Sequence, residues 1–277
     1  MITGTTELIA HLGYPTESFK APMIYNPWFE AMGVDAVVVP FGVRAEEYPS
    51  VLRSLFQVVN LRGALVTMPH KVTTAGLVDE LTVAAKIAGA VNAVRRGDDG
   101  LLIGDMFDGV GFVRGVERKG RAVEGANALV VGSGGVGSAI AASLAQAKVA
   151  SLRLYDASAA AARSLADRLN THYPDLSVET GSRDPRGCDI VVNATPLGAR
   201  ADDPLPLDVD RLAASTFVGE VVMKEEYTPL LRAARAKGCE IQIGADMLYE
   251  MIPAYLEFFG YGGSTPEELR AFSKVKY

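Results

Sequence analysis

A strand, a glycine-rich turn and a helix follow one another without a break near the middle of the chain. Ala128–Val131 is an apolar run typical of a buried strand, and Gly132–Gly137 directly after it has the spacing GxGxxG. In this context Gly132 permits a tight turn, Gly134 lets the backbone approach a pyrophosphate, and Gly137 lets the helix and strand pack closely. The feature predicts a dinucleotide-binding βαβ unit, with a Rossmann-type methyltransferase as the alternative.

The predicted helix after this turn offers N–H groups and a positive dipole end to phosphates, so Gly135 and Val136 join the cofactor prediction. Asp156 ends the next strand, 24 residues after Gly132 (156 − 132), near the spacing of about 20 at which an acidic residue binds the adenosine ribose. A carboxylate repels a 2′-phosphate, and the two residues after Asp156 offer no guanidinium. We therefore predict NAD as the preferred cofactor and NADP as the alternative. The other interpretation of Asp156 is a solvated helix-capping residue.

Strand-like and helix-like runs alternate along the rest of the chain. Asp35–Phe41 and Gly63–Met68 are predicted strands, with a helix over Ala45–Val58 between them. Val91–Val94 and Leu101–Ile103 read as two short strands around a glycine-containing turn. A second series starts near Ala126 and ends in two predicted helices, 245–259 and 266–275. This rhythm predicts an α/β fold with largely parallel sheets.

Composition narrows the class of protein. At 277 residues the chain is long for one core, so two domains are expected. Its net charge of −6 argues against nucleic acid or an anionic membrane as a partner. The two cysteines, Cys188 and Cys239, form no CxxC pair, and the start of the chain lacks the pattern of a signal peptide. No apolar stretch approaches the roughly 18 residues of a membrane span. We expect a cytoplasmic protein with a small-molecule substrate and no metal site, either a monomer or a homodimer.

Four segments together resemble the shikimate dehydrogenase family, in matching order and spacing over nearly the whole chain. Val66–Lys71 is similar to that family's NVTxPxK, Gly89–Val94 to GAVNTV, Gly104–Phe112 to GxNTDGxGF and Asn193–Gly198 to NATPxG. The resemblance implies a substrate-binding α/β domain over 1–106 and a Rossmann-like NAD(P)-binding domain over 107–244. Helices over 245–277 would return to the first domain, and the active site would lie in the cleft between the domains.

The resemblance also implies roles for individual residues. Lys71 and Asp108 would form a proton relay, with Thr67 and Asn92 orienting the substrate. Oxidation of a secondary alcohol requires removal of the hydroxyl proton, and such acid–base help is worth roughly 10²–10⁴-fold. The plainer interpretation makes Lys71 a turn residue and Asp108 the N-cap of a helix. The resemblance places Asn193, Thr195 and Pro196 beside the nicotinamide. His70 is interpreted as structural, and His11 has no recognisable partner.

Several polar substrate contacts of the family are replaced here. Its HSxSP motif reads Glu17–Pro22, with Ser18 retained, one residue inserted and Ala21 in place of the second serine. Apolar residues stand at further polar positions of the family pattern: Leu65, Met106, Phe107 and Met251, with Glu250 at the last position if the alignment shifts by one. No tyrosine is found at Lys224–Glu226, where the family has YNP. The losses predict an altered substrate pocket that includes Ser18 and Met251.

The sequence therefore predicts an NAD(P)-dependent dehydrogenase of a shikimate-like cyclic hydroxy acid, with shikimate, quinate or a relative as substrate. By resemblance it belongs to aromatic amino acid or quinate metabolism. Two alternatives stay open: a ligand sensor that kept the fold but not turnover, and an enzyme like methylene-tetrahydrofolate dehydrogenase. A sensor would not need to preserve the Lys71–Asp108 pair.

Overall fold

The computed structural model describes residues 2–17, 19–200 and 202–275, which form two compact α/β units. The first unit holds the chain up to Phe107 and again from Ile252 onward, and the second is Asp108–Met251. One boundary therefore lies between Phe107 and Asp108, and the other lies between Met251 and Ile252, inside the helix Gly244–Phe259. The domain boundaries expected after residues 106 and 244 stay a prediction.

The first unit contains a six-stranded sheet with the order β2-β1-β3-β5-β6-β4. Its elements up to residue 107 are β1 (Glu7–Gly13), α1 (Pro22–Met32), β2 (Ala36–Gly42), α2 (Tyr48–Leu55), β3 (Leu61–Val66), α3 (Lys71–Ala75), β4 (Glu80–Leu81), α4 (Val83–Ala88), β5 (Ala93–Arg96) and β6 (Leu102–Asp105). Strands β2, β1 and β3 are parallel, whereas β5 runs antiparallel to both β3 and β6. The carboxyl ends of β1, β3 and β6 therefore share one edge with the amino end of β5.

Helix α1 covers the outer strand of this sheet. The Asn26 amide accepts a hydrogen bond from the Val38 N–H (2.7 Å) and donates one to the Val38 carbonyl (3.0 Å). The carboxyl-terminal part of the chain also packs within this unit. A Cβ added to Gly63 in β3 would lie 2.4 Å from the Phe259 ring, and the Lys274 N–H donates to the Met23 carbonyl of α1.

The second unit contains a parallel sheet with the order β12-β11-β10-β7-β8-β9. Its strands are β7 (Asn127–Val131), β8 (Ser151–Tyr155), β9 (Ser177–Thr180), β10 (Ile190–Asn193), β11 (Phe217–Glu220) and β12 (Glu240–Gln242). Its helices are α5 (Asp108–Arg118), α6 (Gly135–Gln146), α7 (Ala159–His172), α8 (Pro229–Ala236), the 3₁₀ helix Val209–Arg211 and the first part of α9 (Gly244–Phe259), while α10 (Pro266–Phe272) belongs to the first unit. The strand order reverses between β7 and β10, which is where such sheets bind ligands.

Helices α5 and α6 of the second unit pack at very short distance. A Cβ added to Gly109 would lie 2.0 Å from the Ala139 carbonyl oxygen, so only glycine fits at this crossing. The Phe112 ring, one turn further along α5, occupies the space beside Gly219 of β11. Because α5 meets α6 at its very start, the first residues of α5 are buried.

The α/β prediction with a Rossmann-like parallel sheet and returning carboxyl-terminal helices is confirmed by this architecture. The first sheet is mixed rather than largely parallel, because the hairpin β5–β6 enters it next to β3. The elements β1, β4, β9, α1, α3, α4 and α8 were not among the predicted ones. Among the residues that the structure describes, no helix is long and apolar enough to span a membrane.

Candidate active site

Three residues of the predicted substrate site gather at one edge of the first sheet. Thr67 follows β3, and its N–H donates to the Leu12 carbonyl of β1 (2.9 Å). Lys71 is the first residue of α3, and its carbonyl accepts a hydrogen bond from the Val91 N–H (2.9 Å). The Asn92 carbonyl accepts from the N–H of Val66 at the end of β3 (2.8 Å). Backbone bonds between neighbouring strand ends therefore hold Thr67, Lys71 and Asn92 together.

Asn92 is 1% exposed and also supports the chain that enters the second unit. Its N–H donates to the Asp105 carbonyl (2.9 Å), and its side-chain Oδ1 accepts from the Phe107 N–H (2.9 Å). Asp105 is fixed in turn, because its Oδ1 accepts from the Thr82 hydroxyl (2.5 Å), and burial raises the pKa of its carboxyl group. Asn92 thus fixes the last residue before Asp108.

Asp108 is the first residue of α5 and is 3% exposed. A residue in a cleft would be expected to be exposed, but Asp108 is buried because α5 packs against α6 from Gly109 onward. It is also part of the helix rather than its N-cap. Replacing Asp108 will therefore disturb packing as well as any proton transfer.

Of the two remaining residues predicted to bind substrate, Met251 and Ser18, the structure describes only Met251. Met251 is the last residue of the second unit. A Cβ added to Gly111 of α5 would lie 2.6 Å from the Cβ of Met251. Met251 is therefore packed against α5 on at least one side. Ser18 lies outside the described residues.

Two replaced positions of the family pattern belong to the core of the first unit. Met106 is fully buried, and Phe107 is 8% exposed. The Phe107 ring packs on the rings of Tyr255 (4.9 Å between centroids) and Phe258 (5.4 Å) in α9. The apolar residues at 106 and 107 therefore have packing partners of their own.

An aromatic pair that was missed in the sequence lies at the same edge of the first sheet. His11 of β1 stacks on Phe19 with 4.0 Å between ring centroids. The Phe19 ring closes the space beside Gly13, which Thr67 borders from the other side. Burial, and secondly the charge of Lys71, lower the pKa of His11 to about 4. A neutral imidazole therefore lies within the electrostatic reach of Lys71. Only the position of His11 near the end of a strand could have pointed to it.

His70 fits its structural interpretation. It is 1% exposed, its Nε2 is 2.8 Å from the Val43 carbonyl oxygen, and its ring stacks on Tyr48 at 3.8 Å. Burial lowers its pKa. Among the described residues, no group of three or more His, Cys, Asp or Glu side chains could hold a metal ion.

The glycine-rich turn of the second unit has the geometry that a dinucleotide requires. Gly132 has φ +107°, a conformation that L side chains rarely adopt. A Cβ on Gly137 would lie 2.0 Å from the Gly132 carbonyl oxygen, whereas a Cβ on Gly134 would meet nothing within 4 Å. The open side of the turn therefore lies at Gly134. First-turn N–H groups, including those of Gly135 and Val136, lack intrahelical acceptors by helix geometry and can bind phosphate oxygens.

Asp156 connects this turn to the end of β8. Its Oδ2 accepts from the Ser133 N–H (2.7 Å), and its Oδ1 accepts from the Ser158 N–H (2.8 Å). Each carboxylate oxygen has a second lone pair, so the group can still accept bonds from ribose hydroxyls. A guanidinium missed in the sequence lies nearby: Arg183 stands over the ring of Tyr155, 5.5 Å from its centroid.

The loop after β10 contains the other predicted cofactor residues. Asn193 is fully buried, and its Oδ1 accepts from both the N–H (3.1 Å) and the hydroxyl (2.6 Å) of Thr195. Its Nδ2 donates to the Leu197 carbonyl (3.0 Å), which fixes the loop around Pro196. Gly132 contacts the same loop, because a Cβ there would lie 2.7 Å from the Ala194 carbonyl. The glycine turn, Asp156 and this loop thus share the carboxyl edge of the second sheet.

Comparison with known proteins shows the family to which the chain is similar. Residues 12–94 match the family model described as the shikimate dehydrogenase substrate binding domain. The shikimate dehydrogenase (NADP(+)) of Rubrobacter xylanophilus is 36% identical, over 98% of this chain and 97% of that protein.

Solved structures show the same fold over nearly the full length. Shikimate 5-dehydrogenase from Listeria monocytogenes, in complex with shikimate and NAD, has a TM-score of 0.90 and 27% identity, covering 98% of this chain and 97% of the other. Quinate dehydrogenase from Corynebacterium glutamicum, in complex with NAD, has a TM-score of 0.86 and 29% identity, covering 96% and 98%.

Proposed function

The chain belongs to the shikimate dehydrogenase family, and from this premise we propose that it transfers hydride between NAD(P) and the secondary alcohol of a shikimate-like cyclic hydroxy acid. The observation that carries the proposal is a full-length relative of that activity combined with an intact glycine turn, open at Gly134. A methyltransferase or a sensor would not require the substrate-side motif around Lys71 as well. When bound, the nicotinamide ring accepts or supplies the hydride.

We propose Lys71 and Asp108 as the proton relay of this reaction. The assignment rests on two motifs, one in each unit. Lys71 starts α3 at the edge that also holds Thr67 and Asn92, where a substrate hydroxyl could be oriented. Asp108 directly follows Phe107 in the chain, and the Phe107 N–H donates to Asn92 Oδ1. The relay moves the hydroxyl proton while the hydride leaves the carbon.

NAD is the proposed preferred cofactor. Asp156 supports this choice, since its carboxylate would repel a 2′-phosphate, and the Listeria and Corynebacterium structures both contain NAD. Arg183 acts in the opposite direction, because a guanidinium beside Tyr155 would attract a phosphate. The named activity of the Rubrobacter relative uses NADP(+). Preference for NAD therefore depends on Asp156 outweighing Arg183.

Steady-state kinetics with both cofactors test this balance. We expect a higher kcat/KM with NAD than with NADP, and a shift toward NADP in Asp156→Ser because the repulsive charge is removed. Arg183→Gln should shift the ratio toward NAD, whereas Arg186→Gln, a nearby exposed arginine paired with Asp184, should leave it unchanged. A wild-type preference for NADP would contradict the proposal.

The substrate is proposed to be a specialised relative of shikimate or quinate. Leu65 is 5% exposed, at the end of β3 beside His11 in register, and the stacked Phe19 ring adds a second apolar surface there. Such a surface cannot replace lost hydrogen bonds to a polar substrate. Cofactor reduction with a panel of cyclic hydroxy acids tests the proposal. Binding of panel members without any turnover would favour the sensor alternative.

A further inference from the structure

Glu220 is a buried acidic residue for which the proposed reaction has no role so far. It is the last residue of β11, it is 0% exposed, and it lies in register with Asn193 of β10. Glutamate is almost never fully buried in proteins unless it is paired. The side chains that pair with Glu220 therefore indicate its role.

Two neutral side chains hold one end of this carboxyl group. Its Oε2 accepts a hydrogen bond from Asn193 Nδ2 (3.4 Å). Thr228, also 0% exposed, bonds to the carboxyl group through its side chain and caps the start of α8. Among the described residues Oε1 has no hydrogen-bond partner. Burial raises the pKa of this carboxyl group above its usual value.

The bond from Asn193 to Glu220 adds to the contacts that set which way the Asn193 amide points. Asn193 Oδ1 already accepts two bonds from Thr195, so Nδ2 must face Leu197 and Glu220. A side chain without an acceptor at position 220 would leave Nδ2 with the Leu197 carbonyl as its acceptor and weaken the preference for this amide orientation over the flipped one. In the flipped orientation the Thr195 bonds would be lost, because an amide nitrogen cannot accept them.

The loop that Asn193 fixes belongs to one half of the dinucleotide site. Asp156 ends β8 on one side of β7, whereas Asn193 and Glu220 end β10 and β11 on the other side. A dinucleotide crosses this reversal of strand order. With the adenosine ribose at Asp156, the nicotinamide end lies over the β10 half, at Thr195 and Pro196.

We propose that Glu220 is a positioning residue for the nicotinamide end of the cofactor. It acts through Asn193, whose amide it orients, and thereby through the Thr195–Leu197 loop. The proposal rests on the proposed function, because it presumes a nicotinamide dinucleotide. It goes beyond that function because it gives the buried Glu220 carboxyl group a role in the nicotinamide half of the cofactor site and none in the adenosine half.

Binding measurements on the full chain without substrate test the proposal, with NADH and ADP-ribose as probes. ADP-ribose lacks the nicotinamide and reports on the adenosine half alone. In Glu220→Leu, which is similar in volume and has no acceptor, we expect the NADH Kd to rise about 10-fold, as for a displaced contact residue. The ADP-ribose Kd should stay within about twofold, because the Asp156 half is unchanged.

Glu220→Gln is the second variant, since it keeps the shape and one acceptor oxygen. We expect it to fold and to raise the NADH Kd by less than Glu220→Leu. Thr216→Val is the matched control: Thr216 is buried beside the opposite end of β11 and donates to the Cys188 carbonyl (3.0 Å). It should lower the melting temperature without changing either Kd.

The outcomes separate the two proposals. If the wild-type chain binds none of NADH, NADPH and ADP-ribose, the proposed function fails. If the wild type binds NADH and ADP-ribose, and both Glu220 variants weaken the two probes equally or not at all, the role of Glu220 is overturned. A selective loss of NADH affinity, absent from Thr216→Val, supports it.

Discussion

The carboxyl edges of the two sheets, where the strands end, differ in whether backbone or side-chain groups form the proposed site. At the second edge the proposed cofactor site depends on backbone: Gly132, Gly134 and Gly137 shape a turn whose N–H groups we propose to meet phosphates. At the first edge the proposed substrate site depends on side chains. Lys71 lies at the start of α3, and its charge acts on His11, whose ring stacks on Phe19. A backbone site tolerates few substitutions, whereas a side-chain site can change its ligand by changing residues. The cofactor is therefore easier to infer than the substrate.

The largest expected effect tests whether the first edge works through side chains. Lys71→Ala should lower kcat at least ~10²-fold, the lower end for general acid–base help, with little change in melting temperature because Lys71 is only half-buried. Lys86→Ala, at an exposed lysine of α4, is the control and should keep full activity. Near-normal turnover in Lys71→Ala would remove the relay.

Asp108 should show the same kinetic loss with a structural cost added. We expect Asp108→Asn, which keeps its shape, to lower kcat by at least ~10²-fold. Asp108→Ala should also lower the melting temperature, because the residue is 3% exposed at the contact of α5 with α6. Thermal melts alongside kcat separate the two effects, and an active Asp108→Asn would exclude the carboxylate as part of the relay.

Acid titration tests the buried histidine of the first edge. The pKa of His11 is lowered from 6.5 to about 4 in the folded chain, so the unfolded chain binds the proton more readily between these values. Stability should therefore be full above pH 6.5 and fall as the pH drops toward 4, by about 3 kcal/mol for this one group. Chemical unfolding of wild type and His11→Phe across this range measures it. A fall of the same size in both proteins would contradict the assignment.

Two alanine substitutions test whether the second edge works through backbone. Gly137→Ala should destabilise the fold by about 1–3 kcal/mol, because its Cβ would overlap the Gly132 carbonyl. Gly134→Ala should leave the melting temperature unchanged, since nothing lies within 4 Å of the added carbon. It should still raise the NADH Kd about 10-fold by standing where the pyrophosphate approaches. Equal NADH affinity in Gly134→Ala and wild type would mean that the cofactor does not use this turn.

The smallest expected effect concerns substrate specialisation at the first edge. The triple variant Ala21→Ser, Leu65→Asn and Met251→Gln returns polar groups of the family pattern. We expect it to gain less than ~10-fold in kcat/KM on shikimate, or about 1.4 kcal/mol, and to lose activity on the chain's own substrate. A larger gain on shikimate would mean that the pocket is a degraded form rather than a specialised one.

Most of the fold could be predicted because its signals are local. The GxGxxG turn, the apolar strand of β7 and the spacing to Asp156 each depend on residues near one another in sequence. Helix α1 was missed because Pro27 interrupts its pattern, and the helix is held by contacts to β2 and α10. The short edge strand β9 was missed because it is mostly exposed and polar.

The side-chain site was predicted less completely for a physical reason. Asp108 looked exposed because its burial depends on a helix crossing at Gly109, which no local pattern reveals. His11, Phe19 and Glu220 are separated from their partners by strand pairings and loops. Their importance arises from burial and from contacts across the sheet, so it becomes visible only in three dimensions.

The Asn26 contact with β2 has a consequence for how copies of the protein can associate. Alternate residues of a strand turn their N–H and C=O groups to the same side. The backbone groups of Val38 and Pro40 therefore both point away from β1, toward the lateral edge of the first sheet that β2 forms. Asn26 occupies both groups of Val38, and Pro40 has no N–H to offer. Extension of this sheet through β2 by a strand of a second molecule would therefore lack the Val38 groups and a Pro40 N–H, which disfavours β-type aggregation at this edge.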